Sequence, residues 1–251
     1  GEDETASRMG IAAALEALEK SGINGDQIDG IIVGTSTPDT TFPAVAIHIQ
    51  SAIGSRHGPN FDVQAACSGF VYAMSVADSL IKSGMCRKML VIGTENFSNL
   101  VDWNDRTTCV LVGDGAGAIV LEAQVVSDNS IEQRGIHSSH LHGNGEFKGI
   151  LYTDGGVATT KSAGHVVMNG REVFRNAVDL MAEVVRETLE YNNITPADID
   201  WLIPHQANVR IIDSTRKKLD LPPEKVVVTV DKHGNTSAAS IPIVLDEAVQ
   251  S

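Results

Sequence analysis

Residues 18–32, LEKSGINGDQIDGII, and residues 189–203, LEYNNITPADIDWLI, follow one pattern. Leu18 matches Leu189, Glu19 matches Glu190, Ile23 matches Ile194, Ile28 matches Ile199, Asp29 matches Asp200 and Ile32 matches Ile203. The order of elements repeats too: the end of a helix, a strand, then a helix of small residues. In the first copy that last helix starts at Cys67-Ser68-Gly69, and in the second near Gly234-Asn235-Thr236. An interval of about 170 residues is too long for a solenoid and points to a duplicated α/β half. The halves divide at residues 1–124 and 125–251. If they pack by a pseudo-two-fold, the two small-residue helix starts face each other. Cys67 and Asn235 are then brought together, with His205 arriving from the end of a strand.

Working outward, residues 5–21 carry Met9, Ala12, Ala13, Leu15, Ala17 and Leu18 at helical spacing, with Gly22 as the stop. Residues 29–35 (DGIIVGT) read as a buried strand, 43–55 as a helix with Pro43 in its first turn, and 60–65 as a short strand. A helix to about Ser83 and a strand from Lys88 to Gly93 come next. Residues 107–123 read as two strands around Gly113-Asp114-Gly115-Ala116-Gly117. A polar loop over 137–165 precedes a long helix, 172–192. The chain closes with a strand (199–204), a basic helix (208–219), a strand (225–230) and a helix (235–249). Alternating strands and helices make this a layered α/β protein.

Composition narrows the function. With 19 basic and 32 acidic side chains the net charge is −13, so nucleic acid is not an expected partner. No apolar run approaches the ~18 residues of a membrane span. Gly1-Glu2-Asp3-Glu4 lacks the basic and apolar regions of a signal peptide, and three cysteines are too few for a disulfide scaffold. These features point to a reducing, cytoplasmic setting.

Three side chains stand where chemistry is expected. Cys67 lies between a strand and a helix N-terminus among Ala65, Ala66, Ser68 and Gly69. The positive end of the helix lowers a thiol pKa, and small neighbours let a substrate reach the sulfur. A buried structural cysteine is the alternative, and it is the reading for Cys86 and for Cys109, which sits in an apolar strand. His205, in Pro204-His205-Gln206-Ala207-Asn208, comes directly after a strand, where α/β proteins place their sites. Asn235, in Gly234-Asn235-Thr236-Ser237, could be an ordinary helix cap. His137, His140 and His142 have metal-like spacing without a Cys or acidic neighbour in sequence, so a surface loop is preferred and no metal is assigned. The glycines at 113–117 precede a strand, so the dinucleotide fingerprint fails.

Four segments occur in order: Ala65-Ala66-Cys67-Ser68-Gly69-Phe70, Gly113-Asp114-Gly115-Ala116-Gly117-Ala118, Pro204-His205-Gln206-Ala207-Asn208 and Gly234-Asn235-Thr236-Ser237-Ala238-Ala239-Ser240. Together they resemble the β-ketoacyl-acyl-carrier-protein synthase III family, the initiating condensing enzymes of type II fatty acid synthesis. The resemblance covers essentially the whole chain. It implies the thiolase fold, with duplicated α-β-α-β-α layers and mixed sheets around buried helices, in agreement with the repeat. It also implies a triad of Cys67, His205 and Asn235. Cys67 takes an acetyl group from acetyl-CoA; His205 and Asn235 bind the malonyl-acyl-carrier-protein thioester while CO2 leaves, and acetoacetyl-carrier protein forms. No cofactor is implied, since acyl-CoA is a substrate.

The same resemblance assigns Arg106 to the CoA adenine end, Asn208 and Gly170 to the pantetheine tunnel, and Phe42 to a homodimer interface at the end of the acyl pocket. Arg175, Arg210, Arg216, Lys217 and Lys218 form a local basic patch suited to an acidic carrier protein. It further implies a strand-helix segment before Gly1 and a glycine-rich strand after Ser251. Two other readings stay open: a thiolase-fold relative using another acyl primer, and a non-catalytic remnant that docks carrier protein.

Overall fold

The structure, a computed structural model, describes residues 4–126 and 133–250. Its helices are α1 (Ala6–Ser21), α2 (Val45–Ile53), α3 (Gly69–Lys82), α4 (Gly170–Asn192), α5 (Val209–Lys218), α6 (Val230–His233) and α7 (Ser240–Gln250). Its strands are β1 (Gly30–Gly34), β2 (Asn60–Val63), β3 (Lys88–Glu95), β4 (Gly115–Glu122), β5 (Leu151–Thr153) and β6 (Val166–Met168). No described helix is long and apolar enough to cross a membrane.

Packing groups the chain into two units: residues 1–96, 114–136 and 236–251, and residues 97–113 and 137–235. This differs from a cut at residue 124. The turn before α7 belongs with the first unit because it lies against β3, where a Cβ on Gly93 would stand 2.3 Å from the Ala238 carbonyl oxygen. Residues 97–113 go with the second, where Val112 bridges to Asn235.

In the first unit the sheet runs β2-β1-β3-β4. β1 is parallel to β2 and β3, and β4 is antiparallel to β3. Ile31, Val33, Leu90 and Ile92 point to one face, against Ala14 and Leu18 of α1 and Ile49 of α2. Ile32, Met89 and Val91 point to the other, against Phe70, Ala73 and Ala77 of α3. Both faces are covered, so β1 and β3 read as unbroken apolar runs rather than alternating ones. Gly117 lets α7 approach β4: a Cβ there would lie 2.9 Å from the Ile243 backbone nitrogen.

In the second unit α4 and α5 share a core of Ala182, Ile212, Leu219, Leu221 and Val226, and β5 and β6 form a separate antiparallel pair. The strands expected at 199–204 and 225–230 shrink to one parallel bridge, Leu202 with Val226. β1 has a partner on each side, whereas among the described residues this segment pairs on one side only, which leaves too few ladder bonds for a strand.

The sequence repeat is a repeat of backbone geometry. α1 ends in a left-handed Gly22 and α4 in a left-handed Asn193, both donating their N–H to Glu19 and Glu190 carbonyls at 3.1 Å. Capping boxes come next at Asn24/Gln27 and Thr195/Asp198, and Ile28 and Ile199 leave them at φ −75°, ψ 124° and φ −77°, ψ 125°. Farther on, Ala66 and Ser237, separated by the same interval as Leu18 and Leu189, both have positive φ, 46° and 50°.

Three other expectations change. Pro43 precedes the helix cap Ala44 and is joined to Phe42 by a cis peptide, so it is not in the first turn of α2. Residues 107–111 form turns rather than a strand, because the Asp105 carboxylate accepts Thr107 N (2.9 Å), Thr107 Oγ1 (2.6 Å) and Thr108 Oγ1 (3.0 Å). Cys109 lies in that turn, its sulfur 3.8 Å from the Trp103 carbonyl. The last helix starts at Ser240, after a 3-10 turn over Ser237–Ala239.

Gly93→Ala forces β3 away from the 237–239 turn. It is expected to cost about 1–3 kcal/mol, read as a lower urea midpoint with an unchanged slope.

Candidate active site

In the first unit, β2 leads through Gln64 and Ala65 into a 3-10 turn, Ala66–Ser68, and then α3. The positive φ of Ala66 is disfavoured for a residue with a Cβ. It places Cys67 one turn ahead of the helix body, partly buried. Gly69 lets the 237–239 turn approach; a Cβ there would lie 3.2 Å from the Ala238 Cβ. The 237–239 turn therefore faces the start of α3 within this unit, and the residue that reaches Cys67 there is Ser237, whose hydroxyl hydrogen-bonds the sulfur.

Behind Ser237 stands Glu95, the last residue of β3, fully buried. Its carboxylate accepts from Ser36 N (3.0 Å), Thr37 Oγ1 (2.7 Å) and Ser237 Oγ (3.2 Å), and from Ala238 N. Burial pushes the Glu95 carboxyl up despite these donors. Burial also pushes the Cys67 thiol up, with the Glu95 charge adding to it and the Ser237 bond opposing it. The Cys67 thiol is thus raised rather than lowered, with desolvation the largest cause.

In the second unit, His205 is fixed through its neighbour. Gln206 is 1% exposed. Its amide donates to the Pro204 (3.0 Å) and Val227 (3.2 Å) carbonyls and accepts from Thr229 N (2.9 Å) and Val230 N (3.1 Å). Burial lowers the His205 pKa to about 4, so the ring is neutral near pH 7. Asn208 caps α5, its Oδ1 accepting from Ile211 N at 3.0 Å. Asn235 is no helix cap. Its N–H donates to the Leu111 carbonyl at 2.8 Å and its carbonyl accepts from Gly113 N at 3.0 Å, and Gly234 before it has φ 68°. Cys67 thus belongs to the first unit, and His205 and Asn235 to the second.

The remaining residues sort by exposure and partners. Arg106 is exposed in the Asp105 turn, and Gly170 opens α4. Phe42 is 82% exposed and so is no core aromatic. Arg175 and Arg210 are exposed, and neither has an ion pair among the described residues. Arg216 differs from the free cation expected: it bonds Asp213 at 2.6 Å and the Leu221 carbonyl at 2.9 Å, closing the end of α5. Lys217 pairs with Asp213 at 2.6 Å and Lys218 with Asp179. His140 and His142 sit on the Glu187 carboxylate at 3.1 and 2.6 Å. Cys86 is buried beside the Asp29 carbonyl. Glu95, Ser237 and Gln206 were not picked from sequence. The available signal for Glu95 was an acid closing an apolar strand, LVIGTE.

Two family models match the chain: 3-oxoacyl-[acyl-carrier-protein] synthase III over residues 61–145, and the C-terminal model of the same synthase over residues 189–251. A β-ketoacyl-[acyl-carrier-protein] synthase III of Paramagnetospirillum magneticum is 58% identical over 248 residues, 99% of this chain and 76% of that protein. One of Allorhizobium ampelinum is 55% identical over 249 residues, 99% of this chain and 77% of that protein. Among solved structures, a 3-oxoacyl-[acyl-carrier-protein] synthase III from Aquifex aeolicus is similar at a TM-score of 0.90 and 44% identity, covering 99% of this chain and 76% of that one.

The buried neutral His205 makes stability depend on pH. The unfolded chain takes up its proton near pH 6.5 and the folded chain only near pH 4, so stability is complete above that window and is lost as pH falls through it. The loss is on the order of 3 kcal/mol. Urea midpoints at pH 7 and pH 4.5 should differ more for the wild type than for His205→Gln; equal differences would contradict a neutral buried ring.

Proposed function

This chain belongs to the β-ketoacyl-[acyl-carrier-protein] synthase III family, and on that premise we propose how its own residues carry the reaction. It is a condensing acyltransferase that joins a short acyl-CoA to malonyl-acyl carrier protein and initiates fatty acid biosynthesis. The observation that carries the assignment of roles is the strained turn at Ala66, which holds a partly buried thiol ahead of α3.

Cys67 is the acyl carrier. Its thiol gives up a proton, the thiolate attacks the acetyl-CoA carbonyl, the carbon–sulfur bond to CoA breaks, and CoA takes that proton and leaves as the thiol. His205 and Asn235 donate hydrogen bonds to the thioester oxygen of malonyl-carrier protein. The bond to the malonyl carboxylate breaks, CO2 departs, and the electron pair is held as an enolate. The enolate carbon attacks the acetyl-Cys67 carbonyl and the Cys67 thiolate is released. Each electron pair moves between carbon, sulfur and oxygen, so no metal or redox cofactor is required.

Arg106, Asn208 and Gly170 serve the CoA and pantetheine arm. Exposed Phe42 supports a homodimer in which it closes the acyl pocket. The soluble thioester substrates support a cytoplasmic location. For carrier docking, Arg175 and Arg210 are the stronger candidates, because Arg216, Lys217 and Lys218 are already engaged with acids.

Acetyl-CoA should leave an acetyl group on the intact chain, mapped to the Cys67 peptide and absent in Cys67→Ser. An adduct that persists in the variant would remove Cys67 from this role. Arg210→Glu should raise the KM for malonyl-carrier protein several-fold with kcat nearly unchanged, while Lys217→Ala changes it less than twofold. Equal effects would mean that the ion pairs on α5 do not decide docking.

A further inference from the structure

Glu95, Ser237 and Cys67 form a hydrogen-bonded chain that begins at a fully buried carboxylate and ends at the sulfur. It joins three segments of the first unit: the end of β3, the turn before α7 and the turn before α3. Glu95 is also tied to a fourth segment, Ser36 and Thr37 after β1. Thr37 Oγ1 in turn accepts from Asn96 N at 2.8 Å, so its proton is committed to Glu95. Ser237 Oγ donates to Glu95 at 3.2 Å and also hydrogen-bonds the Cys67 sulfur, so it stands between the two groups.

We propose that Glu95 is a positioning residue that acts through the Ser237 hydroxyl, and that Cys67 and Glu95 share one proton along this chain. This rests on Cys67 being the acyl carrier. In the resting form Cys67 is a thiol and Glu95 a carboxylate. To arm the nucleophile, the Cys67 S–H bond breaks and its proton passes to Ser237 Oγ. The proton that Ser237 carried passes to Glu95. The sulfur keeps the electron pair and now accepts from the Ser237 hydroxyl, while the new carboxyl O–H donates to Ser237. A single negative charge is present before and after, so the transfer avoids burying two anions together.

The surrounding groups allow this. Within the unit, Glu95 is the charged group acting on Cys67. The donors on Glu95 are neutral: Ser36 N, Thr37 Oγ1, Ser237 Oγ and Ala238 N. Burial raises the Glu95 carboxyl, which makes it a better proton acceptor than an exposed acid, and it raises the Cys67 thiol as well. His205 belongs to the other unit.

The test is iodoacetamide labelling of the full chain without acyl-CoA, with the Cys67 peptide followed by mass spectrometry across pH. A shared proton fixes the ratio of thiolate-with-acid to thiol-with-carboxylate, so the wild-type rate should be nearly flat from about pH 6.5 to about pH 8. Glu95→Gln and Ser237→Ala should lose the plateau and climb about tenfold per pH unit below the thiol pKa. His205→Ala should keep it. Two variants guard against one failing to fold, and circular dichroism checks both. A wild-type rate that climbs tenfold per unit throughout, or a plateau that survives in either folded variant, would overturn the proposal. So would a plateau lost only in His205→Ala. Because no acyl-CoA is present, failure here is distinct from failure of Cys67 to accept an acetyl group.

Discussion

The first unit is organised by a close approach of backbone to backbone: the turn over 237–239 lies on β3 at Gly93 and on the start of α3 at Gly69. Gly93 leaves no room for a side chain, and at Gly69 a Cβ would press on the Ala238 Cβ at 3.2 Å. Once that contact is made, α7 runs along β4, where Gly117 again yields to Ile243. The same contact carries Ser237 to Cys67 and places a backbone N–H and a hydroxyl over Glu95. Small residues at 65–69 and 236–240 are therefore a packing requirement before they are a chemical one. Without them the helix starts would stand a side chain apart, and the thiol would lose its partner.

A buried carboxylate at such a junction is tolerable only because four donors converge on it. Ionised groups in a protein interior are costly unless hydrogen-bonded throughout. Glu95 takes its donors from segments far apart in sequence, so it also fixes those segments to one another. Gln206 does the neutral equivalent in the second unit: one amide ties the backbone at 204 to that at 227–230, and His205 lies on the tied segment.

The repeat, the helices and the first unit's sheet were legible because they are local: apolar spacing, a left-handed stop at Gly22 or Asn193, a capping box three residues on. The four motifs single out Cys67, His205 and Asn235 as the proposed triad. What sequence reading missed depends on partners far along the chain. Residues 199–204 have a strand's composition but pair on one side only. Arg216 looked like a surface cation until Asp213 and the Leu221 carbonyl claimed it. The raised thiol pKa of Cys67 is not legible in sequence, because desolvation and the Glu95 charge come from residues far along the chain.

The protonation of His205 bears on the role proposed for it in the condensing reaction. The reaction makes an enolate whose carbon must attack an acyl group before anything else reaches it. An ordinary imidazolium, with a pKa of about 6.5, is acid enough to deliver a proton to that enolate and end the reaction as a simple decarboxylation. A histidine whose cationic form is lost above about pH 4 is neutral at working pH and offers only the N–H of a neutral ring. That hydrogen is too weakly acidic to leave. In the proposed role it would stabilise charge on the thioester oxygen by a hydrogen bond without quenching the carbon, and a second neutral donor such as an asparagine amide would add to the effect on the same terms. Burial of the ring thus costs stability in acid, and in the proposed role of His205 it would preserve the nucleophile at neutral pH.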